Sequence, residues 1–270
     1  MLAFASNSLL CRLALKQTGI DAASFTFIRI FSGAVALWLI MNMRRAAWKE
    51  EGSWSSALAL FIYAAAFSFA YLDLSAGTGA LLLFGAVQAT MILWGFRKGE
   101  RLDAIQMVGL IIAITGLVVL MLPGLSAPPL VGSILMVGAG MAWGVYSIRG
   151  QAGHDAIAAT AGNFLRAVPF AAVVSIILLS RAQLDHAGIF YAVISGAITS
   201  GLGYVIWYSA LPGLKAASAA TVQLSVPVLA ATGGVLLLGE PITLRYVLAS
   251  VAVLGGIFLV IIEKRQPTRS

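Results

Sequence analysis

The chain has 270 residues, of which 60% are hydrophobic and 10% charged, with a mean hydropathy of +0.97 and a formal net charge of +7. An ordinary soluble domain carries about 25% charge, so the composition excludes one and predicts an integral membrane protein. A single cysteine, Cys11, excludes an intrachain disulfide and a cysteine-based metal cluster, and the two histidines, His154 and His186, sit in loop positions beside Asp155 and Asp185.

Apolar stretches long enough to cross a bilayer core of about 30 Å run from the N-terminus at Leu2 to Leu15, Ala22 to Met43, Ser55 to Leu72, Gly77 to Phe96 and Ala104 to Leu122. Five more follow at Leu130 to Ile148, Ala158 to Ser180, Ala187 to Ala210, Ala216 to Leu238 and Ile242 to Ile262. Barrel strands alternate apolar and polar residues, whereas Leu110 to Leu122 and Val251 to Ile262 are apolar on every face. The expectation is an all-α integral membrane protein with ten transmembrane helices, short loops and no room for a soluble domain. The first span is short beside its counterpart at Leu130, and nothing near it resembles a signal peptide with a basic start and a cleavage site.

The charges are unevenly shared between the two ends of these helices. Loops after even-numbered spans, with the C-terminal tail, hold Arg44, Arg45, Lys49, Arg97, Lys98, Arg101, Arg149, Lys215, Lys264, Arg265 and Arg269, against Arg12, Lys16, Arg181 and Arg245 on the other side. This is the positive-inside asymmetry, which predicts a multi-pass protein of the cell inner (plasma) membrane with both termini cytoplasmic. The basic balance therefore reports orientation in a lipid bilayer, and no nucleic-acid partner is expected.

The two halves align with each other. At a separation of 137 positions Arg12 falls on Arg149, Arg29 on Arg166 and Tyr71 on Tyr208; after a three-residue insertion near Pro212 to Leu214, Gly99-Glu100 falls on Gly239-Glu240 and Gly116 on Gly256. The expected organisation is a first repeat over residues 1–123, a second over 127–265 and a cytoplasmic tail at 266–270, joined by the uncharged turn Pro123 to Pro129. Five helices per repeat is an odd number, so the second copy must cross in the opposite sense. Inverted repeats of this kind characterise secondary transporters, which hold substrate near the midplane and rock one repeat against the other. The sequence has no GxxxxGK[ST] loop, no HExxH and no Ser or Cys paired with a membrane His, so enzymatic and ATP-driven mechanisms lack their residues, and no cofactor or metal is expected.

The stretch Gly201-Leu-Gly-Tyr-Val-Ile-Trp-Tyr208, the run Ala216-Ala-Ser-Ala-Ala-Thr-Val-Gln-Leu-Ser-Val-Pro-Val228 and Gly233-Gly-Val-Leu-Leu-Leu-Gly-Glu-Pro241 resemble the second half of EamA-type drug/metabolite transporters. Ser6-Asn7 and Arg29 resemble the first half, where Val87 replaces the proline found at Pro227. The resemblance implies a ten-helix inverted-repeat fold, export or exchange of small metabolites, and a cavity built largely by helices 1, 3, 4, 6, 8 and 9.

Candidate substrate-binding residues follow from polar and aromatic side chains on those helices. Asn7, Gln88 and Gln223, with Thr221 and Ser225, offer hydrogen bonds without fixed charge, or serve as interhelical glue. Tyr71, Trp143, Tyr146, Tyr204, Trp207 and Tyr208 offer aromatic walls, or act as interfacial anchors. Tyr204 and Tyr208 share a helix face by their spacing of four. Arg29 and Arg166 lie inside the second and seventh spans and either attract an anionic substrate group or tie off carbonyls of a neighbouring helix. Pro227 is either a hinge or a fixed kink. Gly140 and Gly144, and Gly196 with Ser200, read as close-packing faces. All ten carboxylates fall at helix ends or in loops, so coupling to protons has no obvious carrier beyond a rim group such as Asp73. The functional expectation is a secondary transporter that exports or exchanges amino-acid-like or amphiphilic metabolites, working as a monomer or weak homodimer; the alternatives are a passive channel or a membrane scaffold.

Overall fold

The computed structural model describes residues 1–44, 51–99, 103–122, 124, 127–150, 155–210 and 222–261, apart from the side chains of Ala156 and Tyr208. All regular structure among these residues is helical: α1 (Leu2–Gln17), α2 (Ala22–Arg44), α3 (Trp54–Ala70), α4 (Ala76–Arg97), α5 (Ala104–Met121), α6 (Leu130–Gly150) and α7 (Ala156–Ile177) come first. A 3₁₀ turn at Leu179–Arg181 leads to α8 (His186–Val193), which runs through a π-helical segment (Ile194–Leu202) into α9 (Gly203–Ala210); α10 (Ser225–Leu238) and α11 (Leu244–Ile261) complete the chain.

Seven of these helices are long and apolar enough to cross a bilayer: α2, α4, α5, α6, α7, the rod His186–Trp207 and α11. The remaining three expected spans have shorter described helices: α1 with 16 residues, α3 with 17 and α10 with 14. Helices are the solution here because the bilayer offers backbone groups no partner, so each segment must satisfy its own. The ends are closed locally. Ser53, Ser75, Asp103, Asp155 and Asp185 accept hydrogen bonds from the first turns of α3, α4, α5, α7 and α8. Gly99 and Gly239, aligned with each other in the sequence, follow α4 and α10 with φ of +90° and +63°, a left-handed conformation that glycine adopts without a Cβ penalty.

The eighth expected span departs from a plain helix. Over Ile194–Leu202 the backbone widens to π geometry, an insertion-like defect that frequently marks a functional site. Gly196 is what allows it to lie close to α2: a Cβ there would stand 2.1 Å from the Arg29 carbonyl oxygen. The ninth span steps at Leu224, where a turn residue precedes α10. Pro227 lies three residues later, buried in the first turn of α10, and its missing N–H leaves the Gln223 carbonyl without a helical partner. Thr221 and the stretch Pro212 to Leu214 lie outside the described residues.

Packing is centred on α4, 61% of whose membrane window is buried, while α5 and α11 pair at the edge with 28% buried. The main helix pairs are α5 with α11, α2 with α7, α4 with α10, α3 with α6, α1 with α8 and its π segment, α4 with α6, α1 with α10, α3 with α7, and α2 with α8. Exchanging the first five helices for the second five turns this set into itself. Gly140 and Gly144 sit on the α6–α4 contact, where added Cβ atoms would meet the Leu83 carbonyl oxygen at 2.5 Å and Thr90 at 2.9 Å. Their small-residue face is thus used inside the molecule.

The turn between α1 and α2 is fastened to the one before α8. Asp21 accepts from Ala23 N at 2.9 Å, Ser24 N at 3.0 Å and Gln183 N at 2.9 Å, and its own N–H donates to the Gln183 carbonyl at 3.1 Å. Burial pushes the Asp21 carboxyl upward, but the hydrogen bonds from Ser24, Gln183 and Ala23 outweigh it and hold the group below its usual range. A depressed folded pKa means that the stabilisation is present above the unfolded value of about 4 and is lost as pH falls through the folded value. Melting of the purified protein between pH 3 and 7 should therefore steepen below about pH 4, and Asp21→Ala should lower stability by about 1 kcal/mol at neutral pH as a lost cap while flattening that acid limb.

Candidate functional site

Asn7 lies buried on α1 and gathers three helices. Its Nδ2 donates to Tyr63 Oη on α3 at 3.4 Å, while its Oδ1 accepts from Ser195 Oγ on the π segment and lies 3.3 Å from Thr199 Oγ1. Tyr63 Oη also accepts from Arg29 Nη2 on α2 at 3.0 Å, and Arg29 Nε lies 3.4 Å from Ser200 Oγ. Arg29 is only 2% exposed, and its guanidinium stands over the rings of Phe67 at 4.8 Å and Tyr63 at 5.3 Å. These side chains make one buried polar network spanning both halves of the chain.

An aromatic wall adjoins it. Trp143 on α6 contacts Tyr63 at 4.8 Å, Tyr204 at 5.0 Å and Tyr146 at 5.4 Å between ring centroids. Phe4, one turn before Asn7, touches Trp143, Tyr204 and Trp207 in edge-on geometry at 6.5, 5.9 and 6.1 Å. Edge-on and tilted aromatic pairs are favourable beyond their area burial by about 1 kcal/mol each. Four of the sequence-nominated aromatics, Trp143, Tyr146, Tyr204 and Trp207, thus belong to one cluster with Asn7.

The other nominated residues lie elsewhere. Tyr71 is fully buried, stacked edge-on against Phe67 at 4.7 Å, and donates to the Ala76 carbonyl at 3.2 Å, so it packs the α3–α4 corner. Gln88 is buried on α4 and Gln223 is half-buried before α10. Ser225 is exposed and donates to the Val222 carbonyl. The Tyr208 side chain lies outside the described residues. Arg29 and Arg166, aligned with each other in the sequence, land in different settings: Arg166 Nη1 donates to the Glu51 carbonyl at 2.6 Å and to the Gly162 carbonyl at 3.1 Å, tying α7 to the segment before α3. Asp73 is exposed at the turn after α3.

Sequence reasoning passed over Phe4, Tyr63, Ser195 and Thr199, and read Ser200 with Gly196 only as a close-packing face. The signal was present as spacing: Phe4 and Asn7 share a face of α1, Tyr63, Phe67 and Tyr71 recur every four residues on α3, and Ser195 precedes Thr199 by four.

Polar ties join helices toward both ends of the bundle. At one end the Arg12–Glu240 ion pair, 3.1 Å long and the one recorded among the described residues, joins α1 to the α10–α11 turn. Arg12 Nη1 caps the Tyr71 and Leu72 carbonyls at 2.8 and 2.9 Å, and Glu240 Oε2 accepts from Ala76 N at 2.8 Å. At the other end Arg149 donates to Ser55 Oγ and, at 3.1 Å, to Ser56 Oγ. An open cavity of about 240 Å³ lies at the Arg12 end, bounded by Thr78, Pro129, Glu240, Thr243 and Tyr246, and is separate from the polar network. Among the described residues no group of His, Cys, Asp and Glu has a metal-holding arrangement.

Comparison with known proteins agrees with this architecture. Residues 130–262 match the EamA-like transporter family. An uncharacterized protein of Pseudomonas aeruginosa is 57% identical over 262 residues, covering 97% of this chain and 91% of its own length. An uncharacterized transporter of Bacillus subtilis, YoaV, is 23% identical, with 87% of this chain and 85% of that protein covered, and an uncharacterized transporter of Archaeoglobus fulgidus is 24% identical, with 98% and 96% covered. A solved crystal structure at 16% identity superposes with a TM-score of 0.67, covering 96% of each chain, which establishes a common fold. With a relative of more than half identity aligned along nearly its whole length and the family match over α6 to α11, the chain belongs to the EamA-like transporter family, as a multi-pass membrane transporter of the drug/metabolite kind.

Proposed function

We propose that the protein is a secondary transporter that exports or exchanges small organic metabolites of amino-acid-like or amphiphilic character, by alternating access between two inverted five-helix repeats, residues 1–123 and 127–265. The observation that carries this reading is the buried network of Asn7, Arg29, Tyr63, Ser195, Thr199 and Ser200 with its aromatic wall, because it draws side chains from both halves of the chain into one buried place. Buried hydroxyls and amides beside rings are the lining expected of a pocket that orients a small amphiphile. Ten crossings and the inverted repeat are supported by a helix-pairing set that survives exchange of the halves, and by the matching left-handed glycines at Gly99 and Gly239.

In this mechanism substrate occupies the level of Asn7 and Trp143, and each state opens one end while the other stays tied. Opening the Arg12 end separates Arg12 from Glu240; opening the other end separates Arg149 from Ser55 and Ser56. The step at Leu224 before Pro227 is the hinge on α10. The basic end, with Arg44, Arg97, Lys98 and Arg149, faces the cytoplasm of an inner-membrane protein, and the working unit is a monomer. Carboxylates among the described residues lie at the ends, so transport is facilitative or exchange-like.

Proteoliposomes loaded with unlabelled amino acids and assayed for uptake of the labelled compounds test the carrier reading. Saturable uptake that rises in counterflow is expected. Non-saturable flux without counterflow, the behaviour of a channel, overturns it. Asn7→Ala removes the acceptor of the buried Ser195 hydroxyl, while Thr199 Oγ1 keeps the Ser195 carbonyl at 2.8 Å, a cost of about 1–3 kcal/mol; counterflow in that variant should fall about tenfold or more.

A further inference from the structure

We propose that Arg29 Nη1 is the docking point for a substrate carboxylate, and that the transported class is monocarboxylates with an apolar or aromatic body. The inference rests on the carrier reading above and names the substrate class of the same site.

A guanidinium offers five N–H donors in a planar fork. Nε faces Ser200 and Nη2 spends one donor on Tyr63, while Nη1 is buried with no hydrogen-bond partner. Nη1 thus keeps its donors, and a guanidinium with free donors in its planar fork is suited to hold a carboxylate. Among the described residues no carboxylate is recorded against Arg29: the ion pair found there joins Arg12 to Glu240. The faces of Tyr63 and Phe67 compensate part of the charge but accept none of the in-plane hydrogens. A cation buried in this way two turns into a helix is strongly unfavourable unless it is paired or reaches water.

Arg166 supplies the contrast within the same chain. It is aligned with Arg29 in the sequence, and its Nη1 is consumed by the carbonyls of Glu51 and Gly162. That is how an arginine anchoring a backbone is arranged. Arg29 instead keeps Nη1 buried without a partner, with its guanidinium over the rings of Tyr63 and Phe67. A carboxylate on Arg29 would neutralise the charge, and the apolar remainder of the ligand would meet rings of the wall formed by Phe4, Trp143 and Tyr204.

Benzoate and its uncharged isostere benzamide test the proposal by thermal melting of the detergent-purified full chain at constant ionic strength. Benzoate is expected to raise the melting temperature in a saturable way, with benzamide and chloride without effect, because a ligand of the folded state stabilises it by mass action. Arg29→Gln should weaken the benzoate response at least 100-fold. Arg29→Met should abolish it while leaving the apo melting temperature unchanged or higher, since an unpaired buried charge is replaced by an apolar chain of similar length. A benzoate response equal to that of benzamide or chloride, no benzoate response at all, its survival in Arg29→Gln, or a marked fall in the apo melting temperature of Arg29→Met each overturns the proposal. Because the readout is equilibrium binding, it fails independently of transport: counterflow of neutral compounds with no benzoate binding keeps the carrier and removes the carboxylate.

Discussion

Glu240→Ala is expected to lower the stability of the folded protein by about 3 kcal/mol, because removing one partner of a buried ion pair leaves the other charge uncompensated. Arg12 and Glu240 are 12% and 7% exposed at their side chains, so solvent does little to replace the lost partner. The same substitution takes the acceptor away from Ala76 N, the first residue of α4, so a second buried donor loses its partner. Glu240→Gln is the informative companion: its single amide oxygen can keep the acceptor for Ala76 N but not the one for Arg12 Nε, so it loses the ion pair while sparing the α4 terminus and should cost less than Glu240→Ala. Reversible unfolding in mixed micelles gives both numbers. If the latch also closes the Arg12 end during transport, Glu240→Gln should raise accessibility from that side to a membrane-impermeant thiol reagent at Cys11, which is fully buried in the closed arrangement. Equal stability of wild type and Glu240→Ala would remove this pair from the account of how the end is held.

Gly196→Ala should be nearly as damaging, at about 3 kcal/mol, the upper part of the range for overpacking a tight contact. The added methyl would lie 2.1 Å from the Arg29 carbonyl oxygen and 2.0 Å from Ser32 Oγ. Backbone cannot swing aside as a side chain can, so α2 and the π segment must separate. Their separation also stretches the Arg29–Ser200 contact, and transport should be lost together with stability. Gly138→Ala on α6 and Gly255→Ala on α11 are the controls, since nothing stands within 4 Å of a Cβ at either place. Those two should be neutral or stabilising by roughly 0.5–1 kcal/mol, the helical preference of alanine over glycine. A Gly196→Ala protein that melts with the controls would mean that α2 and the π segment are free to move apart.

The candidate site was only half legible in the chain. Trp143, Tyr204 and Asn7 could be nominated because the family resemblance implies which helices line the cavity, and polar and aromatic side chains on those helices stand out against an apolar background. Tyr63 was passed over in favour of Tyr71, although both lie on one face of α3; which of the two reaches the centre depends on how far α3 penetrates beside α6 and α1. The π segment was unreadable for a related reason. Its sequence, Ile194 to Leu202, has the same hydropathy as a regular helix, and a local change in hydrogen-bond register leaves no mark on apolar periodicity.

The two arginines mark the division most clearly. From the sequence alone came the membrane, the helices and their approximate limits, and the alignment of Arg29 with Arg166, because a bilayer imposes length, apolarity and internal hydrogen bonding on each segment separately. Only the tertiary structure decided that one of this aligned pair ties off carbonyls while the other lies buried beside hydroxyls and rings. The reason is that a side chain's partners come from whichever faces meet across the bundle. Ser200, which faces Arg29, stands 171 positions away along the chain, and no local pattern records that meeting.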